Sequence, residues 1–290
     1  MSEVVAAIFC THVPRLMITD ADARRAYMGK DQSSFYEAMP ELELRCLQQL
    51  EFDTFALVDT HWSTTLEYVL NAHDRLQGSY TSEELPQMLH DLNYDYSGDP
   101  ELANAVEAEG RARGLRVVAS RHKGLPIHYP TLNVMHYLNR NAAKRVLSIG
   151  VCQTSSIEND LLFGAALGAA VRKSTRRTVL VASGGLSHRF WDYDRVLEHA
   201  SPSPDNISSA ENRLYDERIM AWFREGNHAE IIGSAQAFRS RCSPEGRFSH
   251  YLTVAGAMGG REWNWRGRQF GRYESAIGTG QAIFCFSPES

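Results

Sequence analysis

Phe55-Ala-Leu-Val-Asp-Thr-His61-Trp62 ("FALVDTHW", 55–62) decides how this chain is read. Its apolar run predicts a buried strand, yet the strand ends in a histidine flanked by an aspartate and a tryptophan. The same arrangement recurs on both sides. Val4–Cys10 runs into Thr11-His12-Val13-Pro14, and Thr178–Ser183 runs into Gly184-Gly185-Leu186-Ser187-His188. In an open α/β sheet the carboxyl ends of parallel strands form one rim, and ligand sites occupy the crevice there. Three imidazoles distant in sequence can therefore meet.

Working outward, further strands are predicted over Leu66–Asn71, Leu115–Ser120, Arg145–Cys152 and Gln281–Phe286. Helical patterns lie between them, over Glu41–Leu50, Pro100–Gly114, Thr131–Leu138, Glu158–Ser174, Ala210–Gly226, His228–Ala237 and Ser249–Gly259. Asp99-Pro100 is a good helix start, with a capping carboxylate before a proline, and Gly114 and Gly226 serve as stops. Strands alternating with helices indicate a single α/β domain spanning 1–290, with a central, partly parallel mixed sheet flanked by helices. Its active site is expected at the carboxyl rim of the strands. Two polar stretches, 200–209 and 262–280, read as loops, the second rich in Trp and Arg and so a candidate to touch substrate.

Composition bounds the function. Of 290 residues, 43% are hydrophobic and 22% charged, which is ordinary for a globular protein with a large core. Net charge is −5 with no basic block, which gives no reason to expect nucleic acid. No apolar run approaches the length of a membrane span, and no signal peptide is read at the N-terminus, so a cytoplasmic protein is expected. The five cysteines are scattered and never in CxxC spacing, which argues for reduced thiols and against a thiolate zinc site.

Of the eleven histidines, His73, His90, His122, His199 and His228 are expected at the surface, and His136 and His250 as structural residues within helices. His12, His61 and His188 stand apart by position. Converging neutral imidazoles most simply hold a transition metal. Three histidines and a water suit zinc hydrolysis, whereas two histidines and a carboxylate leave an open face for non-haem Fe(II). Glu245, in the Pro/Gly turn "SPEGRF", is one candidate carboxylate, and spacing does not choose between these sets. Asp59 is a plausible partner for an imidazole N–H or a cap on the strand end. His128 and Tyr129, in "KGLPIHYPTL" (123–132), form an ionisable pair before a helix, and both can move protons.

Taken together, "THVP", "DTHW", "YTSEELP", "SGGLSHRF", "DERIMAWFREG" and "GTGQ" make the chain resemble the class III extradiol ring-cleaving dioxygenases. These are relatives of the protocatechuate 4,5-dioxygenase catalytic subunit, and the similarity is greatest to the 3,4-dihydroxyphenylacetate 2,3-dioxygenase branch. The resemblance implies Fe(II) held by His12, His61 and Glu245, with His188 as a catalytic histidine that is not a ligand. Where many relatives carry a second acid/base histidine, this sequence has Tyr129, with His128 one residue earlier. The implied reaction is extradiol cleavage of a catechol by O2 to a hydroxymuconic semialdehyde, within aromatic catabolism. The implied partners are a small aromatic diol and O2, in a homo-oligomer. Arg266, Arg268 or Arg272 could anchor a substrate carboxylate by a bidentate fork. Alternatives are the same chemistry on 2-aminophenol or a methoxylated gallate, a zinc hydrolase using His12, His61 and His188, and a metal-free interaction protein.

Overall fold

The computed structural model describes residues 3–18, 20, 22, 23 and 32–288. An eight-stranded mixed sheet runs through it in the order β6-β3-β7-β2-β8-β1-β10-β9. The strands are β1 (Val4–Cys10), β2 (Thr54–Thr64), β3 (Tyr68–Asn71), β6 (Val117–Ser120), β7 (Arg145–Cys152), β8 (Thr178–Ser183), β9 (Gly267–Ala276) and β10 (Thr279–Phe286). A separate two-stranded ribbon pairs β4 (Arg75–Tyr80) with β5 (Leu92–Ser97). The α-helices among the described residues are α1 (Phe35–Leu42), α2 (Pro100–Ala112), α3 (Tyr129–Leu138), α4 (Ile157–Lys173), α5 (Ala210–Glu225), α6 (His228–Cys242) and α7 (Ser249–Ala257).

The centre of the sheet, β7-β2-β8-β1, is parallel throughout. Both faces of these strands are apolar, which is what a sheet covered by helices on two sides requires. Along β1, Ala7 and Phe9 join one buried cluster with α2, α4, α5, α6 and α7. Ala6, Ile8 and Cys10 point the other way, into a second cluster with α1 and α3. Register then aligns the strand ends: Cys10 and Asp59 both pair with Ser183, so β1, β8 and β2 finish side by side.

Several elements depart from the sequence reading. The helix expected over Glu41–Leu50 is instead α1 followed by a π-helical turn at Glu43–Leu47. Pro40, just before the expected start, lies inside α1. The stretch 262–280, read as a loop, contains β9, an edge strand whose alternate residues Arg268 and Arg272 face solvent and whose apolar signal is correspondingly weak. The β4–β5 ribbon was invisible for the same reason, because its strands are largely polar. His228 is fully buried, stacked on Trp263 at 3.6 Å and bonded to Tyr251 Oη and Trp265 O, while His136 is exposed. Burial lowers the His228 pKa to about 4. All five cysteines are free thiols, four of them buried. No helix among the described residues is long and apolar enough to cross a membrane.

Helices α4 and α7 meet backbone to backbone. A Cβ on Gly164 would lie 2.0 Å from Thr253 O, and one on Gly256 would lie 2.2 Å from Leu161 O. Gly164→Ala must push α7 away, so we expect a loss of about 1–3 kcal/mol by overpacking. It should appear as a lower urea midpoint with an unchanged slope in a circular-dichroism titration.

Candidate metal centre

His12 lies two residues past the end of β1. Its Nδ1 lies 2.9 Å from Ser183 Oγ, at the end of the neighbouring strand, which turns Nε2 toward the open rim. Asn133 Nδ2 donates to the carbonyls of His12 and Val13, at 2.9 and 3.0 Å, and so fixes the backbone beneath the ring.

His61 sits inside β2 rather than past its end. Pairing with β7 jumps from Asp59↔Gly150 to Ser63↔Val151, so the intervening residues bulge out of the ladder. Gly150 permits this, since a Cβ there would lie 2.9 Å from Trp62 O. Asp59 is fully buried and shapes the bulge. Its carboxylate accepts from the backbone N–H of His61 (3.0 Å), Trp62 (3.2 Å) and Thr131 (3.1 Å) and from Thr131 Oγ1 (2.7 Å). It therefore holds the bulge and ties it to α3; among these bonds none goes to an imidazole.

Glu245 arrives on a turn of unusual backbone. Ser243, Arg247 and Phe248 all have positive φ (46°, 56° and 63°), as does Gly246 (51°). Non-glycine residues seldom adopt this conformation, and such runs persist where surrounding contacts dictate them. Those contacts are visible. Glu245 N donates to Leu186 O (3.1 Å), Oε2 accepts from Gly185 N (2.6 Å), and Oε1 accepts from Thr60 Oγ1 (2.5 Å).

The result is a tight cluster. The ligand atoms of His12, His61 and Glu245 all lie within 4.8 Å of one another. Glu245 Oε1 is 2.9 Å from His12 Nε2 and 3.7 Å from His61 Nε2. His188 stands on the other side of the carboxylate, its Nδ1 3.5 Å from Oε2, and that nitrogen is buried without a hydrogen bond. Tyr129, at the start of α3, places its hydroxyl 2.8 Å from His61 Nε2. His128 lies one residue back, its half-buried ring 6.3 Å from the rings of Trp62 and Tyr80. The three arginines lie along the edge strand and just before it. Arg266 is exposed, Arg268 packs over Phe270 at 5.1 Å, and Arg272 is 72% exposed and 3.9 Å from Glu274.

Electrostatics follow from burial and pairing. Burial alone would raise the Glu245 carboxyl, but the imidazoles of His12, His188 and His61 hold it well below the usual carboxylate range. Burial alone would lower His12, but Glu245, with Asp59 and Glu84, outweighs it and raises the pKa. His61 falls to about 4, through burial first and the charge of His12 second. Burial also lowers His188, keeping it a neutral proton acceptor, and raises Tyr129, keeping it a proton donor.

The donor set fits a divalent first-row metal. Two imidazole nitrogens and a carboxylate oxygen, held from behind by Ser183, Thr60 and Gly185, match the two-histidine, one-carboxylate class. Thiolate does not enter: Cys10 is buried and points at Met39. The sequence reading missed Glu84, on the loop between β4 and β5, whose carboxylate lies 3.5 Å from His61 Nδ1. Its only signal was the motif "YTSEELP". The same loop, with Ile18, lines a cavity of about 370 Å³ through Leu85, Pro86, Gln87 and Met88.

A family model described as the catalytic LigB subunit of aromatic ring-opening dioxygenase matches residues 6–284. The chain belongs to the LigB family. Among LigB relatives, a 3,4-dihydroxyphenylacetate 2,3-dioxygenase from Escherichia coli is 28% identical over 270 residues, covering 91% of this chain and 95% of that protein. A 2-aminophenol 1,6-dioxygenase beta subunit from a Pseudomonas species is 26% identical over 294 residues, covering 97% and 93%. The crystal structure of an uncharacterized protein from Escherichia coli K12 superposes with a TM-score of 0.61 at 14% identity, over 97% of this chain and 99% of that one, which speaks to fold alone. This LigB chain is accordingly an aromatic ring-opening dioxygenase.

Asp59→Ala would strand the donors of His61, Trp62 and Thr131. Each buried donor left without an acceptor costs about 1–3 kcal/mol. We expect a lower melting temperature and a divalent-metal affinity about 10–100-fold weaker, as for the loss of an outer-shell partner, read by calorimetric titration.

Proposed function

We propose that this LigB protein cleaves a catecholic ring beside its hydroxyl pair, using Fe(II) held by His12, His61 and Glu245 and incorporating both atoms of O2. The carrying observation is the largely buried cluster of two imidazoles and one carboxylate, with His188 against the carboxylate and Tyr129 against His61. The third ligand atom offered beside His12 and His61 is a carboxylate oxygen rather than His188, which favours the iron set over a three-histidine zinc site. Bound Fe(II) supplies the electron-transfer chemistry that lets O2 react with an electron-rich ring.

The chain's own groups supply the proton traffic. His188, neutral and without a hydrogen bond at Nδ1, accepts the proton of one ring hydroxyl. Tyr129, protonated and 2.8 Å from His61, is better placed than His128 to return a proton as the ring opens. The apolar wall formed by Leu85, Pro86 and Met88 offers a surface for the ring. The substrate is a substituted catechol of the 3,4-dihydroxyphenylacetate kind, supported by the relative named for that substrate. The relative named for 2-aminophenol supports the same chemistry on an ortho-aminophenol. Relatives named as alpha and beta subunits support an oligomer.

Anaerobic loading with Fe(II), then a panel of catechols and 2-aminophenol under oxygen, should give a yellow ring-fission product with at least one of them. His12→Ala and His61→Ala should fold but bind no iron. His188→Ala should keep its iron and lose roughly 10²–10⁴-fold in kcat, the usual worth of a general acid–base group. Loss of metal from the His188 variant would reverse the division of roles.

A further inference from the structure

The helix α5 carries a fully buried aspartate that the proposed chemistry does not use. Asp216 Oδ1 accepts from Ser187 N at 2.9 Å, and Oδ2 accepts from Ser187 Oγ and Tyr273 Oη, each at 2.6 Å. Gly280 backs this contact: a Cβ there would lie 1.9 Å from Oδ2. The amide of Gly280 also donates to Ser187 O (2.8 Å), and its carbonyl accepts from Leu186 N (2.8 Å). Ser187 is thus gripped by its amide, its hydroxyl and its carbonyl, one residue before His188.

His188 needs that grip more than its neighbours do. His12 is oriented by Ser183 through its second ring nitrogen, whereas Nδ1 of His188 has no hydrogen-bond partner and 24% of its side chain is exposed. Its direction is therefore set by its backbone and by the Phe190 ring packed edge-on at 5.0 Å, with no hydrogen bond to Nδ1 to fix it. The same loop also serves Glu245, through Gly185 N and Leu186 O, so a shift at Ser187 moves the histidine relative to the carboxylate. Burial pushes the Asp216 carboxyl up to about 7, against the pull of its bonds from Ser187 and Tyr273. Above that value all three bonds run to a carboxylate and are charge-assisted. A buried carboxylate mid-helix is costly unless such bonds offset it.

We propose that Asp216 is a positioning residue for ring cleavage, holding Ser187 so that the His188 imidazole faces the substrate. The proposal rests on the assignment of His188 as proton acceptor.

The test starts from Fe(II)-loaded wild-type enzyme on its best aromatic substrate. Asp216→Asn keeps the shape of the side chain and removes its charge. It should lower kcat about 10–100-fold, the effect of a displaced catalytic group, with KM, iron content and melting temperature near wild type. Asp216→Asn combined with His188→Ala should be no slower than His188→Ala alone, because both changes disable one unit. In the metal-free protein, Asp216→Asn should also shift the Ser187 amide resonance, speed its hydrogen exchange, and spread the His188 ring signals over more than one conformer. Ser187→Ala, and more mildly Tyr273→Phe, should follow the same pattern and carry the comparison if Asp216→Asn does not fold. A wild-type kcat in Asp216→Asn would overturn the proposal. So would multiplicative losses in the double variant, or parallel losses of iron, melting temperature and activity. If the wild-type enzyme opens none of the offered rings, the assigned reaction fails instead, and the Ser187 and His188 resonances still decide the positioning.

Discussion

Glu245 is a carboxylate taken almost wholly out of water, and the rim of the sheet is arranged around keeping it ionised there. An uncompensated charge in that position would be prohibitively expensive. It is compensated from several directions by Thr60, Gly185 and the surrounding imidazoles. The compensating groups come from three separate parts of the chain, the end of β1, the bulge of β2 and the loop after β8, so the carboxylate fixes their positions relative to the turn before α7. Under the proposed function, a divalent ion held by His12, His61 and Glu245 would add two positive charges to the single negative charge of the carboxylate, a balance that suits an ionised aromatic diol.

The motifs of the sequence turn out to be halves of contacts. Thr11 of "THVP" donates to Gln281 of "GTGQ", and Thr60 of "DTHW" donates to Glu245 of "SPEG". Gly185 of "SGGLSH" donates to Glu245, and Ser187 donates to Asp216 of "DERIMAWF". The small residues at these junctions are spacing devices. Gly184 leaves room for the ring of His250, whose Nε2 would lie 2.8 Å from an added Cβ, and Gly246 leaves room for Thr60 at 2.5 Å. A rim assembled this way has little freedom to drift, which suits chemistry that depends on fixed proton carriers.

Division of labour between the flanking groups follows from their surroundings rather than their type. His12, buried, and His188, partly exposed, are imidazoles beside one carboxylate. Yet His12 bonds Ser183 and carries a raised pKa, while His188 has no such bond and is depressed. These surroundings support the proposed roles, His12 as a ligand and His188 as a proton acceptor. Tyr129 sits against His61, and burial, with Glu245, Glu84 and Asp59 nearby, keeps its hydroxyl protonated.

The sequence by itself determined the layered α/β architecture, because β1, β7 and β8 are continuous apolar runs that only a sheet covered on both faces can bury. It also singled out His12, His61 and His188, since a titratable ring at the end of a buried run is legible in one dimension. Glu245 was legible only through resemblance, because a carboxylate in a turn is chemically ordinary until its neighbours are known. Tertiary structure alone decided the rest. It placed His61 in a bulge rather than beyond a strand, turned Asp59 into a cap for backbone donors, and brought Glu84 over from a polar ribbon. It also turned an expected loop into the edge strand β9, with Arg268 and Arg272 exposed to solvent. The reason is common to all of these: polar residues give no periodic burial signal, so their partners are fixed by register and by loop closure across the fold, which local pattern does not encode.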